Sequence, residues 1–429
     1  MRTILFIIMV LAGMPVFSQT TLTIEECREL ALENNIRVRN SRQSVVAAKE
    51  TKREAFTKYF PEISASGLAF QSNHDVMQLN VMNMFTLGLV RKGISGSVSF
   101  TQPIFAGGRI VNGNKLAGIG EAVSELQLRQ SREEVTLTVD QYYWKLATLI
   151  ESRKTINEVV AMLDTLTYQI NVAVKAGVTT KNDLLEVTLK RNEMESAAID
   201  LDNGIGLCRM LLAQYIGRPE ENISLPAELF PSEGPELMHD IYRDPASSVS
   251  STVGYQLLQE KVKGSKLNER IELGKNLPMV GVGGGWFYED IVAQGHNFGA
   301  IFLSVSVPIS GWWGGSHAMR NRKAQTHMAA NELEDATQLL QIKMKNAWDE
   351  LTSAHRKMRL AKESIAQSAE NLRMYDSFYH AGTSTITDLL NAQTLYRQSQ
   401  DKYFDAYSTY RVKITEYLQA SGQTGAVIY

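Results

Sequence analysis

The sequence predicts a mainly α chain with a membrane β-barrel part, built as a duplicated unit in which a strand hairpin is followed by long coiled-coil helices. The duplication is visible directly. Gln102-Pro103-Ile104-Phe105 has its counterpart at Val307-Pro308-Ile309-Ser310, and Ala176-Gly177-Val178-Thr179-Thr180 has its counterpart at Ala381-Gly382-Thr383-Ser384-Thr385. Pro103 and Pro308 are separated by 205 residues, and so are Asp183 and Asp388. The segments before each Pro alternate apolar and hydroxyl side chains, the period of a strand with one greasy face. The segments after them run far without Pro and step apolar residues by three and four, the spacing of a coiled-coil seam. A repeat that contains strands and two helices is not a solenoid module.

Residues 1–18 hold one Arg, an apolar run from Ile4 to Leu11 and the ending Val16-Phe17-Ser18. This predicts a secretory signal peptide, because the apolar run is too short to cross a bilayer. No Cys stands at the expected cleavage point, so no lipid anchor is expected. Beyond it no run of about 18 apolar residues occurs, which leaves any membrane crossing to strands. A net charge of −2 with 21% charged residues gives no support for nucleic-acid binding. Cys27 and Cys208 are too few for a disulfide framework and fit either two buried thiols or one bridge.

The first repeat is assigned to 19–217, with strands about 62–105 and a helical hairpin about 109–217. Pro219, Pro226, Pro231, Pro235 and Pro245 then mark 218–250 as a linker, since Pro at that density stops both helix and ladder. The second repeat covers 251–422, with strands about 279–309 and a helical hairpin about 314–420, and 423–429 form a tail.

Thr23-Ile24-Glu25-Glu26 reads as a capping box opening a helix to about Lys58, with Thr252 to Lys275 as its second-copy equivalent. In Ile94 to Thr101 the even positions are apolar or Gly and the odd ones hydroxyls, and Leu303 and Val305 keep the phase of Val98 and Phe100. With an earlier strand in each copy, at about 62–73 and 279–289, the chain offers four. About 8 strands are the fewest that close a barrel, so closure by oligomerisation is expected. The first hairpin has the longer loop, Asp75 to Val90. Trp286, Phe287 and Tyr288 at one end and Trp312-Trp313 at the other suit interfacial belts.

From Arg109 to Lys175 no Pro occurs, and a helix of that length extends about 100 Å at 1.5 Å per residue. Its seam is Val135, Val139, Tyr142, Leu146 and Leu149, resumed by Ile156, Val160 and Leu163. The return helix carries Leu184, Val187, Arg191, Met194, Ala198, Leu201, Ile205, Cys208, Leu212 and Tyr215. Its equivalent places Tyr396, Tyr403, Tyr410 and Tyr417 every seventh residue, a packing stripe. The opening and return helices, stacked end to end, could together line one long helix in an elongated tube continuous with the barrel.

Leu22-Thr23-Ile24-Glu25-Glu26, Tyr59-Phe60-Pro61-Glu62-Ile63, the strand exits at Pro103 and Pro308 and the two Gly-to-Asp turns, above all Gly382 to Tyr396, occur in an order in which the mature chain resembles the TolC-like outer membrane efflux proteins. The resemblance implies a homotrimer with twelve strands in the outer membrane and a twelve-helix periplasmic tunnel. It implies an exit duct that catalyses no reaction and works with a periplasmic adaptor and an inner-membrane pump of the RND or ABC type, in drug or metal efflux or in type I secretion. It further places the turns at Gly177 and Gly382 at the periplasmic tip and gives Asp388 a part in closing the pore. Asn391 stands where relatives carry a second acidic residue and Ser384 where some carry an Arg, so a weaker charge ring is expected. Asn182, Asp183 and Tyr379 take the inter-hairpin positions. Left-handed glycines and helix caps alone account for Gly177, Gly382, Asp183 and Asp388 without any gate.

No catalytic, cofactor or metal residues are assigned. Trp286 stands where a dinucleotide loop needs its third Gly. His317 and His327 are about 15 Å apart along one helix, too far to share an ion. A structural coiled-coil outer-membrane protein or adhesin explains the helices but not matched amphipathic strands in both copies.

Overall fold

The computed structural model describes residues 20–423 apart from 77, 82–84, 89, 220–222, 232–233, 292–294 and 310. The signal-peptide segment, parts of the first hairpin loop and of the linker, and nearly all of the tail lie outside the described residues. In chain order the elements are β1 (Thr20–Thr21), α1 (Ile24–Asn34), α2 (Ile36–Thr57), β2 (Glu62–Gln71), β3 (Gln78–Val81), β4 (Phe85–Gly88), β5 (Lys92–Phe105), α3 (Arg109–Lys175), α4 (Lys181–Tyr215), β6 (Ile223–Ser224), α5 (Pro245–Ser248), α6 (Val253–Lys275), β7 (Met279–Asp290), β8 (His296–Ser306), α7 (Gly311–His380) and α8 (Ile386–Ala420). They form two units. One comprises Met1–Arg42, Leu128–Val253 and Thr337–Tyr429, the other Gln43–Gln127 and Gly254–Ala336.

The second unit holds an antiparallel sheet in the order β2-β5-β7-β8. Its strands of 10, 14, 12 and 11 residues reach the ~9–11 residues that a tilted strand needs to cross a bilayer. The period of two sorts the faces by register. Ile63 pairs with Phe100, Ala65 with Val98, Val98 with Trp286, Trp286 with Gly299 and Val282 with Leu303, giving one apolar face. Ser64 and Ser99, and Ser66 and Ser97, pair on the other face and share hydroxyl hydrogen bonds of 3.2 and 2.8 Å. The apolar face is bare: Ile301 is 82% exposed and Leu303 70%. β3 and β4 form a further small hairpin inside the long first loop. In the same unit α2 lies on the start of α3, where Lys52 bonds Glu121 at 2.7 Å and Asn114 donates to the Ala55 carbonyl at 2.7 Å.

The first unit is helical. Val135, Val139 and Leu146 of α3, Ile205, Cys208 and Leu212 of α4, and Tyr403, Tyr410 and Tyr417 of α8 are buried in one cluster with Cys27 and Ala31 of α1. The tyrosine stripe has a second purpose that its spacing did not disclose. Tyr403 Oη donates to the Pro231 carbonyl at 3.0 Å and Tyr410 Oη to the Glu236 carbonyl at 3.3 Å, while Arg243 N donates to Tyr417 Oη at 2.8 Å. The linker is therefore strapped along α8. A parallel two-residue ladder ties β6 in the linker to β1.

Three expectations need correction. The opening helix is not continuous to Lys58: it breaks at Asn35, which leaves helical geometry (φ −60°, ψ 131°). Asn35 Oδ1 accepts from Arg37 N at 2.9 Å and its Nδ2 donates to the Tyr215 carbonyl at 3.0 Å, so one side chain restarts the helix and anchors it to α4. Pro103 is not a strand exit but sits inside β5 at a register shift, the place in a ladder where a missing N–H is tolerated. The chain also carries more strands than four, through β1, β3, β4 and β6.

Cys27 and Cys208 are both buried free thiols. Burial pushes the Cys27 thiol up to about 12, with the nearby carboxylates of Glu26, Glu25 and Asp140 adding to it. Since the proton is held more tightly in the folded state, the stability this group contributes is complete below the unfolded thiol value of 9.0 and is lost as pH rises toward about 12. We expect neither thiol to react with a maleimide in native protein at neutral pH and both to react after unfolding, as read by mass spectrometry.

Candidate functional site

The two helical hairpins turn by the same device. Gly177 and Gly382 each adopt φ 72°, left-handed geometry that L side chains resist. In the first turn the N–H of Gly177 bonds the Val174 carbonyl at 3.0 Å and that of Val178 the Ala173 carbonyl at 2.9 Å; Gly382 and Thr383 repeat this on Tyr379 and Phe378. A capping box then opens each return helix, Thr180 with Asp183 for α4 and Thr385 with Asp388 for α8.

Both carboxylates serve their own caps. Asp388 Oδ2 accepts from Thr385 Oγ1 at 2.6 Å, Thr385 N at 3.1 Å and Ser384 Oγ at 3.1 Å. Hydrogen bonds from the Thr385 side chain and backbone, and then from Ser384, hold its titration below the usual carboxylate range. Asp183 is held low chiefly by the Thr179 hydroxyl. For both the sign is the same: stabilisation is present above the unfolded carboxylate value and is lost as pH falls through the lowered one. Among the described residues no donor reaches Asp388 Oδ1, so half of the carboxylate is available to a group outside this chain.

The turns are joined side by side. Ile386, Leu389 and Leu390 of α8 are buried with Val187 of α4 and with Leu166 and Ile170 of α3, and Tyr379 packs against this cluster. Burial raises the Tyr379 hydroxyl above its ordinary range, with the charge of Asp183 adding to it. Glu186 is a functional contact that the residue pattern did not single out. Its Oε1 accepts from Asn182 Nδ2 at 3.1 Å and its Oε2 from Thr387 Oγ1 at 2.8 Å, so it bridges the hairpins. The only pointer was the spacing of Asn182 and Glu186, one helical turn apart. Asn391 is exposed and takes no part in these contacts. Thr385→Ala removes one cap and is expected to lower stability by about 1 kcal/mol, read by thermal denaturation.

The family model for outer membrane efflux proteins matches residues 27–217 and 283–420, both repeats. The chain belongs to that family. Outer membrane protein TolC of Salmonella enteritidis is 20% identical over 423 residues, covering 94% of this chain and 82% of its own. Among solved structures, the Campylobacter jejuni CmeC outer membrane channel matches with a TM-score of 0.80 at 13% identity, covering 96% of this chain and 90% of its own. The outer membrane protein VceC of Vibrio cholerae matches with a TM-score of 0.78 at 13% identity, covering 93% and 96%. These likenesses show the fold. The protein is accordingly an efflux protein of the outer membrane.

Proposed function

We propose that three copies of this chain pool their sheets into a twelve-stranded barrel and their helices into a twelve-helix tunnel. The duct so formed is the exit of a tripartite efflux or type I secretion assembly. It receives substrate from an inner-membrane pump of the RND or ABC type through a periplasmic adaptor. The observation that carries this reading is the open sheet β2-β5-β7-β8, which exposes an apolar face of bilayer-crossing height and, among the described residues, has one neighbour only at each edge strand. A bare edge in lipid leaves backbone groups unbonded at several kcal/mol each, so only closure with further copies satisfies it. The hairpin turns, with Tyr168, Val172 and Val178 exposed beside them, are the surface offered to the adaptor.

The same reading makes Asp388 a member of the tip closure, through the oxygen its cap leaves open, with Asn182, Asp183 and Tyr379 holding the second hairpin against the first. Purified protein in detergent is expected to migrate as a heat-modifiable trimer and to conduct in planar bilayers. Asp388→Ala should raise single-channel conductance severalfold, whereas Thr385→Ala, which loosens the same cap without removing the charge, should not. Equal conductance in both variants and wild type would take Asp388 out of the gate.

A further inference from the structure

The hydroxyl face of the sheet is interrupted by aromatic rings. Counting by twos from Ser95, Ser97 and Ser99, the register places Glu289, Phe287 and Gly285 of β7 and then His296, Phe298 and Ala300 of β8 on that face. Phe287 and Phe298 stack with centroids 5.4 Å apart and planes 23° apart, and His296 continues the stack at 6.1 Å and 23°. Phe298 remains 45% exposed. Four residues along the same strand, about 13 Å at 3.3 Å per residue, Phe302 lies over Gly283, whose missing side chain makes room for the ring. On this face the four strands carry the carboxylates Glu62 and Glu289 and, among the described residues, no Lys or Arg.

Aromatic faces are negative at their centres and attract cations, and a neighbouring carboxylate strengthens the pull. An apolar stack inside a polar wall also holds an organic solute that bulk water does not. We propose that Phe287, Phe298 and His296, with Glu289 beside them, form a contact site in the barrel lumen for lipophilic organic cations, with Phe302 as a second step along the same path. The site rests on the trimeric duct reading, which turns the apolar face to lipid and this face to the lumen. His296, the residue nearest the outward loop, sets the stack at the far end of the strands from the helices.

The test uses the full-length trimer in planar bilayers in potassium chloride, with tetraphenylphosphonium as probe and tetramethylammonium as a cation without rings. Wild type should be blocked by the first and not by the second at equal concentration. Phe287→Leu/Phe298→Leu, which keeps apolar bulk but removes the rings, should weaken block tenfold or more with conductance unchanged within twofold. Glu289→Gln should weaken it severalfold. Ile301→Ala, on the opposite face, should leave it unchanged. Wild-type channels that are not blocked, or block equal in wild type and the double Leu variant, overturn the site while leaving the duct intact. Block lost equally in Ile301→Ala assigns the effect to barrel integrity and overturns it too. A chain that forms no channel at all removes the duct reading itself.

Discussion

Asp140→Ala is expected to cost roughly 3–5 kcal/mol of stability, because it strands a charge in the helical core. Asp140 is fully buried, and both of its oxygens are taken by Arg28, Nε to Oδ1 at 2.7 Å and Nη2 to Oδ2 at 2.7 Å. Thr415 Oγ1 adds a third bond to Oδ2 at 2.5 Å. The trio links α1, α3 and α8, which come from both repeats and from the chain's opening helix. Losing the carboxylate leaves the Arg28 guanidinium partly buried without its counter-charge, and the loss of a partner costs more than the pair contributes. The double variant Arg28→Met/Asp140→Leu should therefore recover most of the loss. Urea dissociation of the trimer in detergent, monitored by far-UV circular dichroism, measures both. A single variant no less stable than wild type would show that the pair does not bind the three helices together.

That trio also marks where the sequence stops being legible. The repeat, the strand phase and the heptad seams were readable because each is periodic, and burial at Val135, Val139, Leu146, Val187, Met194 and Leu212 follows the steps of three and four. Asp140 lies one residue from that seam, and nothing in a local window says that an Arg 112 residues earlier will meet it. The tyrosine stripe was legible as packing, but its hydroxyls bond backbone groups of Pro231, Glu236 and Arg243, which any residue would supply and no sequence pattern announces. The break at Asn35 was hidden for a related reason. An Asn inside a helical pattern is tolerated; here its Oδ1 caps the restarted helix at Arg37 N, and what fixes the side chain in that place is the Tyr215 carbonyl of a distant helix. At the hairpin turns, Gly177, Gly382 and the two capping boxes were legible because their chemistry is local. Glu186 was not, because its role depends on Thr387, 201 residues away.

The glycine run in β7 supports the other large effect: Gly285→Val is expected to abolish trimer assembly in the outer membrane. A Cβ at Gly285 would lie 2.6 Å from the Val98 carbonyl oxygen and 3.0 Å from Ser99 Cα. Both obstacles are backbone of β5, held in register by the ladder that pairs Gly285 with Ser99, so neither can swing aside as a side chain would. Overpacking costs about 1–3 kcal/mol in a core that can relax. Here relaxation means parting the central pair of a four-stranded sheet, and in a closed trimer the defect recurs in every copy. Gly96 supplies the contrast, since its nearest neighbour to an added Cβ is the Ser66 carbonyl at 3.9 Å, an ordinary contact. Gly96→Ala should then assemble normally. Outer-membrane fractionation followed by unheated gel electrophoresis separates the two, with a trimer band for Gly96→Ala and none for Gly285→Val. A full trimer band from Gly285→Val would mean that β5 and β7 do not pair in this register in the assembled barrel, and the two faces of the sheet would have to be reassigned.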